Sequence, residues 1–164
     1  MNLPKMYRIR QRFADAKVKD IRETVRSELD RLSWSAIQPG HRVAITAGSR
    51  GIANIAEILG AIVEFLKSLD ADPFLFPAMG SHGGATAAGQ IAMLEQLGVT
   101  EASVKVPIIS SMETEEIGFS EDRVPVYMDK NALAADHIVV VNRIKSHTKF
   151  KAPIESGLMK MMAI

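Results

Sequence analysis

The sequence predicts an α/β domain: three layers, with a mostly parallel central sheet and helices on both faces, Rossmann-like in plan. Short apolar runs (residues 42–46, 74–78 and 137–141) alternate with longer stretches of helical character (residues 52–69 and 86–97). Such alternation implies βαβ units, whose strands lie parallel and whose crossovers are right-handed. No internal repeat, low-complexity tract or linker interrupts the pattern, so the 164 residues fit one domain, residues 1–164, with a sizeable core.

Taken in order, residues 15–32 carry Val18, Ile21, Val25, Leu29 and Leu32 at helical spacing among charges, which predicts an amphipathic helix. Gln38-Pro39-Gly40 is a turn, residues 42–46 a short buried strand, and Gly48-Ser49-Arg50-Gly51 a loop. In residues 52–69, Ile55, Ile58, Leu59, Ile62, Val63 and Leu66 cover more than one helical face, so this helix should be well buried. Asp72-Pro73 opens the next strand, residues 74–78, which runs into Met79-Gly80-Ser81-His82-Gly83-Gly84. A helix from about residue 86 to residue 97 is closed by Gly98. Residues 104–109 are a third strand candidate, which Pro107 confines to an edge or breaks. Residues 124–127 are a fourth, also interrupted by proline. Within the least regular part, residues 110–129, a small excursion with a hairpin fits. A helical turn at residues 131–135 precedes the strongest strand, residues 137–141.

Composition narrows the function classes. Hydrophobic residues are 47% and charged residues 24% of the chain, as in ordinary globular domains. A net charge of +1 with 5% aromatic residues argues against nucleic acid and against an anionic membrane as partner. The chain has no cysteine, which removes disulfides, zinc ribbons, iron–sulfur clusters and thiol nucleophiles. Residues 1–13 show no signal-peptide core, and no run approaches the roughly 20 apolar residues that span a bilayer. The expectation is a cytoplasmic protein. The last turn, residues 158–164, is apolar with no cap or polar tail. It reads as chain cut from within a longer protein.

The chemistry-bearing residues cluster after predicted strands. In a parallel sheet Arg50, His82 and His147 would all fall on the carboxyl edge, where open α/β sheets bind ligands. His82 is flanked by glycines that let backbone approach a ligand closely. His147 stands among Arg143, Lys145, Lys149 and Lys151, four cations that suit an anionic ligand and equally suit a solvated loop. Arg50 precedes a helix start, where amides and a guanidinium can hold phosphate or carboxylate, although taken alone the motif is a tight βα turn. Lys160, among Met159, Met161 and Met162, is either a partly desolvated amine with nucleophilic character or a snorkelling surface lysine. His41 and His137 precede strands and are read as structural or surface residues at the opposite edge.

Three segments, Ala78-Met79-Gly80-Ser81-His82-Gly83-Gly84-Ala85-Thr86, residues 139–150 and residues 154–161, resemble motifs of the nickel-dependent lactate racemase family. They occur in that family's order, the resemblance extends over most of the chain, and it is closest to an uncharacterised branch. The resemblance implies the N-terminal domain of a longer two-domain racemase or epimerase of 2-hydroxy acids. It implies a nickel-pincer nucleotide in the full-length protein, tethered through Lys160, with His82 and His147 as the acid/base pair and Arg50 holding anionic groups. The family's nickel-binding histidine and its C-terminal domain would follow the tethering lysine, so the fragment alone is expected to be inactive and no metal ligand is assigned within it. The physical fit is reasonable: racemisation needs a proton acceptor on each face of a planar intermediate, imidazole suits both roles, and hydride must come from a cofactor. A second reading is a non-catalytic nucleotide- or anion-binding domain on the same scaffold. A third, an unmodified nicotinamide enzyme, lacks the glycine fingerprint.

Overall fold

The computed structural model describes residues 6–12, 17–49, 51–143 and 151. In chain order the elements are α1 (Ile21–Leu29), β1 (Arg42–Ala47), α2 (Ile55–Ser68), β2 (Asp72–Pro77), α3 (Ala87–Gln96), α4 (Glu101–Val104), β3 (Thr114–Phe119), β4 (Pro125–Asp129), α5 (Lys130–Leu133) and β5 (His137–Val139). A 3₁₀ turn, Gly83–Ala85, lies between β2 and α3.

The protein is α/β. β1 is central, in a three-stranded sheet of order β2-β1-β5. Both of its pairings are parallel, running from Arg42↔Asp72 to Ala47↔Pro77 on one edge and from Val43↔His137 to Ile45↔Val139 on the other. A strand paired on both edges and covered on both faces must be apolar throughout, which is why Val43, Ala44, Ile45 and Ala47 are all buried. The polar exception is Thr46, 2% exposed. Its Oγ1 accepts the Val141 N–H at 2.8 Å, beyond the point where the β5 ladder ends. One side chain thus continues the pairing by two residues.

The two faces are covered differently. On the first, Val43, Ile45 and Leu75 pack with Leu59, Ile62, Val63 and Leu66 of α2, Leu94 of α3 and Val104 of α4. Each fully buried branched side chain there contributes roughly 1.5–3 kcal/mol. On the second, Ala44, Phe74 and Phe76 meet Ala132 of α5, with Met128 of β4 beside them. A single helical turn and a hairpin therefore stand, among the described residues, where the sequence predicted a second helical layer.

Most predicted elements are present with shifted ends. α1 starts at Ile21 because the Asp20 carboxylate accepts the Glu23 N–H at 2.9 Å. Trp34 Nε1 donates to the Leu29 carbonyl at 2.7 Å at its other end. The stretch predicted as a strand at residues 104–109 divides in two. Thr100 and Ser103 form a reciprocal capping box that winds residues 101–104 into α4. Only Ile108 then makes a parallel bridge, to Leu75. Leu75 N–H donates to the Pro107 carbonyl at 3.0 Å and Ile109 N–H to the Leu75 carbonyl at 2.8 Å. Pro107 thus sits in a broken edge, where its missing donor leaves no ladder bond unmade. The residues read as a fourth strand form β4, which pairs antiparallel with β3 in a separate two-stranded sheet.

At the amino edge His41 and His137 meet, Nδ1 to Nε2 at 3.0 Å. His41 Nδ1 also accepts the Gln38 N–H at 3.2 Å, so His137 supplies the proton between the rings. Both residues are structural, tying β5 to the start of β1. No helix among the described residues is long and apolar enough to cross a membrane.

Replacing Thr46 tests the side-chain pairing. Thr46→Val keeps the volume but strands the Val141 N–H, and should lower unfolding stability by about 1–3 kcal/mol, whereas Thr46→Ser should restore most of it. Equal denaturation midpoints for the valine variant and the wild type would show that the bond carries no stability.

Candidate functional site

Because all three strands of the sheet are parallel, the loops leaving β1, β2 and β5 emerge at one edge. Gly48 and Ser49 follow β1, residues 78–82 follow β2, and residues 140–143 follow β5. The carboxyl ends are fastened together. The Ala78 N–H donates to the Ala47 carbonyl at 2.9 Å, and the Val141 N–H to Thr46 Oγ1. The edge also contains the reversal of strand order, since β2 and β5 flank β1 on opposite sides. That is the position where sheets of this kind open a crevice.

His82 lies at this edge, half-buried, as the residue preceding the 3₁₀ turn. Its Nδ1 contacts Ser49 Oγ, joining the loop after β2 to the loop after β1. With Nδ1 so engaged, Nε2 is the ring nitrogen left for a ligand. Ser49 immediately precedes Arg50 in the chain. Arg50, His147 and Lys160 lie outside the described residues, as do residues 144–150 around His147 and 152–164 around Lys160. The structure thus places one of the four residues singled out from sequence, and gives it an unforeseen partner.

The His82 loop is held by its own backbone. The buried Gln90, 3% exposed, reaches back from α3 and donates Nε2 to the Gly80 carbonyl at 2.9 Å. Thr86 caps α3 by accepting the Gly89 N–H at 3.1 Å, and its hydroxyl donates to the Gly83 carbonyl at 3.1 Å. Gly83 and Gly89 touch backbone to backbone: a Cβ on Gly89 would lie 1.9 Å from the Gly83 oxygen, and Gly83 has φ +67. Glycine is required at both positions, one for close approach and the other also for its left-handed conformation. The glycines around His82 therefore pack the loop against α3 as well as leaving room beside the imidazole.

Beside this edge, on the second face of the sheet, is an apolar cavity of about 370 Å³ lined by Thr46, Phe76, Ala78, Tyr127, Ile138 and Val140 among others. Thr46, Ala78 and Val140 are also at the carboxyl ends of their strands, so cavity and edge adjoin. Among the described residues no group of three or more His, Asp or Glu side chains is arranged to hold a metal ion. α2 starts at the same edge. Its N-cap Asn54 is left-handed, with φ 59, and makes no side-chain capping bond.

Ser49, Gln90 and Thr46 were not singled out from sequence. Serine and threonine beside glycine are ordinary loop or strand-end residues, and Ser49 is 33 positions from His82. Only the parallel register of β1 and β2 brings those two together. Compared with protein-family models, curated proteins and solved structures, the chain matches none.

The glycine contact yields a direct test. Gly89→Ala must push the residue 83 carbonyl aside, and overpacking of this kind costs about 1–3 kcal/mol. The expected result is a destabilised protein whose amide spectrum changes most at residues 79–90. A variant as stable as wild type, with that loop's resonances unmoved, would refute the close packing.

Proposed function

We propose that this chain supplies the acid/base edge of a racemase or epimerase of 2-hydroxy acids, acting with a nickel-pincer nucleotide in a longer, cytoplasmic protein. The observation that supports it most is His82 on the carboxyl edge, with Nδ1 taken up by Ser49 and Nε2 left for a ligand. The resemblance of the His82, His147 and Lys160 segments to the nickel-dependent lactate racemase family supplies the reaction type. A full three-layer, Rossmann-like sandwich with helices on both faces goes with this reading and extends the three-stranded sheet described above.

In the proposed reaction His82 takes the hydroxyl proton of the substrate on one face, and His147 serves the other. Arg50 would help hold the anionic group of the substrate. When bound, the pincer group supplies the hydride acceptor that no side chain can provide. Lys160 would anchor it. The adjoining apolar cavity has a size common to small-ligand sites.

One observation favours a second reading, a non-catalytic anion-binding domain. The first turn of α2 opens on the same edge without a side-chain cap, and such amides attract anions.

The two readings separate in the full-length protein made alongside the cofactor-synthesis enzymes. Intact mass should show an adduct that is absent from Lys160→Ala. Polarimetry should show turnover reduced about a hundredfold or more in His82→Ala and in His147→Ala, both of which keep the adduct. A wild-type protein with neither adduct nor racemisation, but with measurable phosphate or nucleotide binding, would decide for the second reading.

A further inference from the structure

We propose that Ser49 is a positioning residue that fixes the tautomer of His82, accepting the Nδ1 proton so that the Nε2 lone pair faces the ligand. The inference rests on the reading of His82 as a proton acceptor and adds the group that prepares it. Three features carry it: the contact of Ser49 Oγ with Nδ1, the half-buried setting of both residues, and the packing of the His82 loop against α3.

A neutral imidazole bears one proton, and the hydrogen bond made by one nitrogen decides what the other can do. If the serine hydroxyl donated to Nδ1, Nε2 would hold the proton and could not accept one from a substrate hydroxyl. With Nδ1–H donating to Ser49 Oγ, Nε2 is free to accept. When the substrate O–H bond breaks and the Nε2–H bond forms, the ring becomes cationic. The Nδ1–H bond to Ser49 then persists and strengthens, because its donor is charged. When the reaction starts from the opposite enantiomer, His82 instead returns a proton from Nε2 by the reverse of these steps, and Ser49 remains the partner of Nδ1 throughout. A hydroxyl performs this service without adding charge, whereas a carboxylate in its place would bias the ring toward the cation.

The position of Ser49 is itself determined by the sheet. It is two residues beyond Ala47, whose carbonyl binds the Ala78 N–H at 2.9 Å, and His82 is four residues beyond Ala78. On the other side of the ring's loop, Gln90 fixes the Gly80 carbonyl and the Gly83–Gly89 contact fixes the turn. The imidazole is thus held from both ends of its loop.

The test is nitrogen NMR of the full-length protein labelled at histidine, with no substrate added. The His82 signals are assigned by their loss in His82→Gln. In wild type the unprotonated, pyridine-like signal should belong to Nε2. Ser49→Ala should shift the population toward the Nε2–H tautomer that free imidazole prefers, and Ser49→Thr, which keeps the hydroxyl, should restore it. A pyridine-like signal on Nδ1 in wild type overturns the proposal, and so does a His82 spectrum unchanged in Ser49→Ala. The wild-type assignment decides even where the alanine variant unfolds. A wrong tautomer would remove the role of Ser49 and with it His82 as the resting proton acceptor. The adduct and turnover measurements still decide independently whether the full-length protein is a racemase. Conversely, the expected tautomer in a protein that racemises nothing would leave Ser49 in place and remove the reaction.

Discussion

The register of β1 is the constraint from which the rest follows. This strand is paired on both edges and buried on both faces, so a slip of one residue would turn its apolar set over and break two ladders together. With the register fixed, Ala47 must meet Pro77 and the Ala78 N–H, and Ser49 and His82 are delivered to the same crevice. The contact between those side chains is therefore a consequence of backbone pairing some distance below it. That separation of support from site is common where a rigid scaffold presents functional loops.

The two faces of the sheet divide stability from opportunity. The first buries the long α2 against Val43, Ile45 and Leu75, and residues such as Leu59 and Leu66 have no exposure at all. Among the described residues the second is covered by the four-residue α5 and the β3–β4 hairpin, whose Ile117, Val126 and Tyr127 are exposed. An apolar cavity remains beneath that cover. Burial is the main source of folding free energy, so the first face carries most of the stability. The second can open or accept a ligand at smaller cost to the fold.

The parallel sheet was legible in the sequence because buried strands leave continuous apolar runs, as at residues 43–45 and 74–76. α2 was legible from its broad apolar coverage, and α3 from Thr86 at one end and Gly98 at the other. α4 was not, because Val104 and Val106 alternate as in a strand, while the capping box that winds the turn begins earlier, at Thr100. β4 was legible as a strand but not as part of a separate sheet, since short runs do not announce their partners. At the site, His82 stood out through its glycines. Ser49 did not, because nothing local marks a serine whose partner arrives through tertiary pairing. Arg50, His147 and Lys160 lie outside the described residues, and their roles rest on the family resemblance.

The two functional readings make opposite demands on one atom. A histidine that binds an anion serves best with a proton on its outward nitrogen, as a donor or as a cation. A histidine that removes a hydroxyl proton must present a lone pair there. A serine hydroxyl can donate or accept, and the arrangement proposed above has Ser49 accept from Nδ1–H, which leaves the lone pair on Nε2. The loop's construction bears on the choice. Gln90, the Thr86 cap and the Gly83–Gly89 contact together cost the chain a buried amide and two glycines in order to hold one imidazole. Attraction of an anion tolerates a mobile cation, since Coulomb energy falls only gradually with distance. Proton transfer does not, because the reacting atoms must be held in a narrow geometry. The rigidity around His82 is therefore better matched to moving a proton than to attracting a charge.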